Sequence, residues 1–115
     1  METGAAARYG AALRGRKTAS GEVYTGKDLT AAHRSLPFGT RVRVTRTDDG
    51  RSVVVRINDR CSARNGYVID LSEAAAAEIG LTGRTRVDLR VLEKEPGPAG
   101  AGGGPAAAGA SGGEP

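Results

Sequence analysis

Two stretches in the middle of the chain alternate apolar and polar residues at the period of a β-strand, Arg41-Val42-Arg43-Val44-Thr45 and Ser52-Val53-Val54-Val55-Arg56-Ile57. Asp48-Asp49-Gly50 lies between them, so the pattern predicts a β-hairpin. Val42, Val44, Val53, Val55 and Ile57 then share the buried face, and the arginines point to water. Arg86 to Val91 is a third alternating run and Tyr67 to Leu71 a shorter fourth. One helix is predicted: Ser72 as N-cap, Glu73 against the helix dipole, Ala74 to Ile79, and Gly80 as the stop. Its alanine-rich face suits close packing on a barrel end. Gly10 to Asp28 is rich in glycine and polar residues with little periodicity, and reads as a long surface loop. Short strands, one small helix and no βα alternation point to a small all-β barrel, whose long loop is where function tends to sit.

Composition sets the boundaries. Residues 95–115 are almost wholly Gly, Ala and Pro, too poor in apolar side chains to offset the entropy of ordering, and a disordered tail is expected there. Residues 1–4 are expected to be a disordered start, which leaves 5–94 as one folded domain. The net charge is +4, and the tail holds Glu114 and no basic residue, so the folded part is the more basic. A basic face is compatible with plain solvation or with attraction to an anionic polymer. Nucleic acid is disfavoured as that polymer, because the aromatic residues are only Tyr9, Tyr24, Phe38 and Tyr67 and no basic run is interleaved with them. A single cysteine, Cys61, excludes an intrachain disulfide, and with one histidine it makes no zinc set, so no metal or cofactor is implied. No stretch has the apolar length of a membrane span, and METGAAARYG lacks the charged-then-apolar pattern of an export signal.

Groups able to do acid–base or nucleophilic chemistry are few. Glu22 lies in the loop Thr18-Ala19-Ser20-Gly21-Glu22, His33 follows Thr30-Ala31-Ala32, and Asp59 stands at the end of the strand through Ile57. Strand ends and their loops converge on a barrel rim, where a carboxyl beside a low-dielectric wall has its pKa raised, as suits a general acid. Bland roles compete with each. A lone histidine is more often a hydrogen-bonded structural residue than a catalyst. Asp59 before Arg60 also suits a turn or salt bridge, and Asp70 before Leu71-Ser72 suits a helix cap or a barrel brace. Cys61 beside Arg60 would have a lowered thiol pKa, although His33 is its only possible base partner.

The blocks Gly15-Arg16-Lys17-Thr18-Ala19-Ser20-Gly21-Glu22, Leu29-Thr30-Ala31-Ala32-His33-Arg34-Ser35-Leu36-Pro37-Phe38-Gly39-Thr40-Arg41-Val42-Arg43-Val44, Val53-Val54-Val55-Arg56-Ile57-Asn58-Asp59-Arg60 and Val68-Ile69-Asp70-Leu71-Ser72 together resemble the rare lipoprotein A family, in its order and approximate spacing. The resemblance spans about residues 7 to 92 and is most specific over Thr30 to Val44. It implies a six-stranded double-psi β-barrel of the bacterial envelope, acting as a lytic transglycosylase on peptidoglycan glycan strands, with Glu22, His33 and Asp59 lining the active groove. Asp70 matches an aspartate of expansin-like barrels and ranks second. Family members usually carry an aspartate where Thr25 stands, three residues before Asp28, which makes Asp28 another second-rank candidate, and glycine where Cys61 stands. Neither the lipid-attachment cysteine nor the glycan-binding repeat domain of longer members is present in this sequence.

Lytic cleavage needs one group to give a proton to the glycosidic oxygen and take one from the sugar's C6 hydroxyl, so Asp59 or Glu22 is the expected acid and base, with His33 orienting the pair or the substrate. Arg16, Arg34, Arg56 and Arg60 are expected to bind anionic groups of the wall polymer, in a monomer. Two other readings fit the same residues: a non-catalytic, expansin-like wall-binding module, which the missing aspartate at Thr25 favours, and an inverting hydrolase using Glu22 with Asp59.

Overall fold

The valine–arginine alternation between Arg41 and Ile57 folds as the expected hairpin in the computed structural model, which describes residues 2–62 and 64–94. Its arms are β3 (Thr40–Arg46) and β4 (Ser52–Asp59), antiparallel, with Val42 opposite Val55 and Val44 opposite Val53. Those four residues and Ile57 are buried, as the alternation requires. The other strands are β1 (Glu2–Arg8), β2 (Thr30–Ala32), β5 (Tyr67–Leu71) and β6 (Thr85–Lys94). The helix α1 (Glu73–Glu78) starts where the sequence places it, with the Ser72 hydroxyl accepting from the Ala75 N–H.

The six strands close into a barrel in the order β1-β5-β2-β4-β3-β6. The pairs β1/β5 and β2/β4 are parallel and all other neighbours antiparallel. Each parallel pair carries one register irregularity. Between Ala5 and Ala6 the partner strand advances from Tyr67 to Ile69, and between Ala31 and Ala32 it advances from Ile57 to Asp59. These two interlocked, similarly kinked halves form a double-psi β-barrel.

The sequence pattern did not single out β1 and β2, because their inward residues are alanines: Ala5, Ala6, Ala31 and Ala32 are all buried. Small side chains let these strands lie close to their neighbours. At Gly4 a Cβ would come within 2.5 Å of Val68 Cγ1 and 2.9 Å of the Gly66 carbonyl oxygen, so only glycine fits. Strand β1 begins at Glu2, so residues 2–4 are part of the barrel and not a disordered start. The expected tail at 95–115 lies outside the described residues. The core joins Val42, Val44, Val55, Ile57, Ile69, Leu71, Val87 and Leu89 with Ala75, Ala76 and Ile79 of the helix, which packs against β4 and β5. Among the described residues no helix is long and apolar enough to cross a membrane.

Candidate active site

The long loop between β1 and β2 lies across the end of β4. A 3₁₀ turn at Ala11–Leu13 starts it, and a short ladder folds it back on itself: Gly15 N–H to the Tyr24 carbonyl and Tyr24 N–H to the Arg16 carbonyl, both 2.8 Å. Gly21, at φ 95°, makes the tight return that brings Glu22 under Thr18. The loop is then fastened to β4 by Ser20 N–H to the Asn58 carbonyl, 3.2 Å, and by Ala19 N–H to Asp59 Oδ1, 2.8 Å. Tyr24, 3% exposed, anchors the other side, its ring 4.6 Å from that of Tyr9. Between loop and barrel is a groove of about 240 Å³ lined by Tyr9, Leu13, Arg16, Lys17, Thr18, Tyr24 and Asp59.

Asp59 is the carboxylate in this groove. Its Oδ1 accepts from the N–H groups of Ala19 and Arg60, each 2.8 Å, and its Oδ2 accepts from the Tyr9 hydroxyl at 2.6 Å. The irregularity between β2 and β4 places it, since Asp59 rather than Asn58 pairs with Ala32. On its other edge Ala32 pairs with Asp70 of β5. The two aspartates therefore flank one alanine, on strands that lie about 10 Å apart across the intervening strand. Asp70 is half-buried, and burial first, then the charge of Asp59, raises its pKa. The raised carboxyl expected of a barrel rim is thus found at Asp70.

Glu22 behaves in the opposite way. The Arg56 guanidinium grips both of its oxygens and Asn58 Nδ2 donates to Oε1 at 3.1 Å, so its pKa is lowered, chiefly by Arg56. It is held ionised on the outer side of β4 and is not among the residues lining the groove. His33 is placed elsewhere again. It is 3% exposed; its Nδ1 accepts from the N–H groups of Ser35 and Leu36, both 3.1 Å, which leaves the proton on Nε2 to be donated to Glu2 at 2.8 Å. It meets Asp59 only through the backbone, His33 N–H to the Asp59 carbonyl at 3.2 Å. The structure thus brings Asp59 and Asp70 around Ala32, but not the side chains of Glu22, His33 and Asp59 into one cluster.

The four arginines also divide. Arg16 lines the groove, with Lys17 beside it. Arg56 holds Glu22, and Arg34 pairs with Glu2 at 3.3 Å. Arg60 donates to the Leu36 carbonyl at 2.7 Å and stacks on Phe38, 4.2 Å from the ring centre, so it braces the segment after β2. Asp28 accepts from Thr25 Oγ1 at 3.1 Å, and its carbonyl accepts from the Ser72 hydroxyl at 2.7 Å, a turn and cap arrangement. Cys61 is not activated. Burial and then the charges of Asp70 and Asp59 push its thiol up to about 11, against the lowering expected from Arg60. Tyr9 was missed in the sequence; as one aromatic residue in an alanine-rich strand end it offered no periodic signal. A larger depression, about 600 Å³, lies around Glu2, Arg34, Leu36, Leu89, Arg90 and Val91, away from Asp59.

Fold and groove together define a double-psi β-barrel with a carboxylate-centred cleft. Residues 1–91 match the family model described as lytic transglycolase, and the chain belongs to that family. It is 58% identical over 77 residues to a probable endolytic peptidoglycan transglycosylase RlpA of Nostoc sp., covering 67% of this chain and 21% of that protein. It is 43% identical over 97 residues to the endolytic peptidoglycan transglycosylase RlpA of Vibrio cholerae, covering 81% of this chain and 37% of that one. The chain thus spans between a fifth and two fifths of the length of these relatives. Among solved structures, the Streptomyces papain inhibitor shares the fold, with a TM-score of 0.56 at 22% identity over 76% of this chain and 92% of that one.

Proposed function

We propose that this barrel cleaves the glycan strands of peptidoglycan between N-acetylmuramic acid and N-acetylglucosamine by lytic transglycosylation in the bacterial envelope, with Asp59 as acid and then base. The observation that carries this reading is that Asp59 alone among the candidate carboxylates lies in the groove, with Oδ1 filled by two backbone N–H groups and Oδ2 directed to Tyr9. Protonated at Oδ2, Asp59 gives its proton to the glycosidic oxygen as the C1–O4 bond breaks. The ionised carboxylate then takes the proton of the C6 hydroxyl while O6 closes on C1, giving an anhydro end with no water consumed. One carboxyl serves both steps, which agrees with Glu22 being occupied by Arg56 and Asn58 rather than free to activate water. Arg16 and Lys17 draw the anionic groups of the polymer to the cleft. The relatives named for this activity support the substrate class.

The test is to incubate the chain and its Asp59→Asn variant with peptidoglycan sacculi and analyse soluble products by mass spectrometry. Fragments lacking one water at the muramyl end, absent with the variant, are the expected result. Reducing-end products would replace lysis by hydrolysis. Retention on sacculi without release would make the barrel a wall-binding module.

A further inference from the structure

We infer that Tyr9 is the positioning residue that holds Asp59 Oδ2 in the groove, and that its hydroxyl thereby shapes the pH range in which the groove works; the activity part of this inference rests on the reading above. Tyr9 follows β1, and its hydroxyl donates to Asp59 Oδ2, the oxygen left over once Ala19 and Arg60 have filled Oδ1. A hydroxyl donating to a carboxylate favours the ionised form over the protonated one, so the effect of removing it is read in the pH dependence of the groove.

The tyrosine is held firmly enough for this. Its N–H donates to the Leu71 carbonyl at 2.9 Å and its ring packs on Tyr24. Tyr24 is fixed at its far end, donating its hydroxyl to Glu73 Oε1 at 2.9 Å and accepting from the Glu73 N–H at 3.0 Å, while Arg14 holds Glu73 through two contacts of 3.1 and 2.6 Å. The first turn of α1 is thereby linked through two stacked rings to the carboxylate in the groove. Burial and the adjacent carboxylate drive the Tyr9 phenol far above its ordinary pKa, so at neutral pH it keeps its proton and donates it to the carboxylate.

Other groups around Asp59 act on it as well. Asp70 on β5, Arg60 next in sequence, and Arg16 and Lys17 across the groove are the charged groups that face it, and Cys61 stays neutral. Tyr9 differs from these in touching the working oxygen itself.

The experiment follows the side-chain carboxyl carbon of Asp59 by NMR across pH 2–9 in the full chain and in Tyr9→Phe, which keeps the ring stack, alongside sacculus digestion over the same range. The Asp59 midpoint lies at higher pH in the variant than in the unsubstituted chain, because the variant lacks a hydrogen bond that favours the carboxylate. The alkaline limb of fragment release moves up by the same interval. In the unsubstituted chain the Tyr9 ring carbon bearing oxygen titrates with the Asp59 midpoint, a measurement that stands even if the variant folds poorly. An unchanged Asp59 midpoint in Tyr9→Phe, or a Tyr9 resonance indifferent to that midpoint, overturns the inference. A midpoint that moves while fragment release keeps its pH profile supports Tyr9 and refutes Asp59 as the acid.

Discussion

Replacing His33 by asparagine and, separately, by leucine separates a bracing imidazole from a catalytic one. His33 Nδ1 accepts two backbone N–H groups at 3.1 Å from inside the barrel wall. The Oδ1 of asparagine lies at the same number of bonds from Cα and can take both; leucine can take neither. Of the two donors, Ser35 is exposed and its N–H can turn to water, whereas Leu36 is half-buried. An unsatisfied buried N–H costs about 1–3 kcal/mol. Loss of the Nε2 contact to Glu2, whose side chain is 30% exposed, adds roughly 1 kcal/mol at most. His33→Leu is therefore destabilised by about 1–4 kcal/mol, a fall in Tm on the order of 5–30 °C for a domain of this size. His33→Asn loses about half as much, part of it from the small cavity left by the ring. Thermal melts give the stabilities. Sacculus digestion below both melting ranges, expressed per folded molecule, gives the activities, and His33→Asn is expected to stay within a few-fold of the unsubstituted chain. A His33→Asn variant that melts near the original and releases nothing would refute the bracing role and return the imidazole to the chemistry.

Three further outcomes are expected. Arg56→Met removes the partner that lowers the Glu22 pKa. Because the folded-state pKa is the lower one, this contact stabilises above the unfolded value of about 4.3 and is lost on acidification through the folded value, so a gap of about 0.5 kcal/mol at pH 7 should narrow in melts as the pH falls below about 4, and a gap that does not narrow would contradict it. Gly4→Ala places a methyl against Val68 and the Gly66 carbonyl and should cost about 1–3 kcal/mol in urea unfolding; an unchanged midpoint would show that β1 and β5 can part at this point. With its thiol pushed up to about 11, Cys61 should react with iodoacetamide at pH 8 at least about a hundredfold more slowly than a free cysteine, and faster in Asp70→Asn; labelling at the free rate would mean that the thiol is neither buried nor faced by that carboxylate.

The legible parts of the fold are those built from residues of contrasting size and polarity. Valine against arginine gave β3 and β4 with the correct inward face, and serine, glutamate and alanines followed by glycine gave the helix to within one residue. Strands β1 and β2 were not located, the family resemblance implying six strands without placing these two, because Glu2-Thr3-Gly4-Ala5-Ala6-Ala7-Arg8 and Thr30-Ala31-Ala32 are specified by what fits around them and not by hydrophobic contrast. The site divides in the same way. Asp59 could be proposed from its place at a strand end. That Glu22 would be gripped by Arg56 and His33 by Glu2 depends on pairings 34 and 31 residues apart, which the closure of the barrel creates. Tyr9 reaches Asp59 across 50 residues for the same reason.

The two parallel pairs carry the same kink, yet only the β2/β4 kink presents a carboxylate to the groove, and the difference lies in where the chain goes as it leaves β5 and β1. From β5 it turns at once into α1, which packs against β4 and β5. From β1 it runs through the loop that lies on the end of β4, so the residue re-aimed by the β2/β4 kink emerges beneath the loop amides and beside Tyr9. The two elements meet where Ala74 N–H donates to the Gly26 carbonyl, 3.1 Å, and here Thr25 has a defined part: its hydroxyl accepts from Lys27 N–H and donates to Asp28. Thr25 thus closes a local turn and engages the Asp28 carboxylate. Asp59 is thus the carboxylate that this arrangement presents to the groove, with Asp70, whose ionisation it opposes, on the far edge of Ala32.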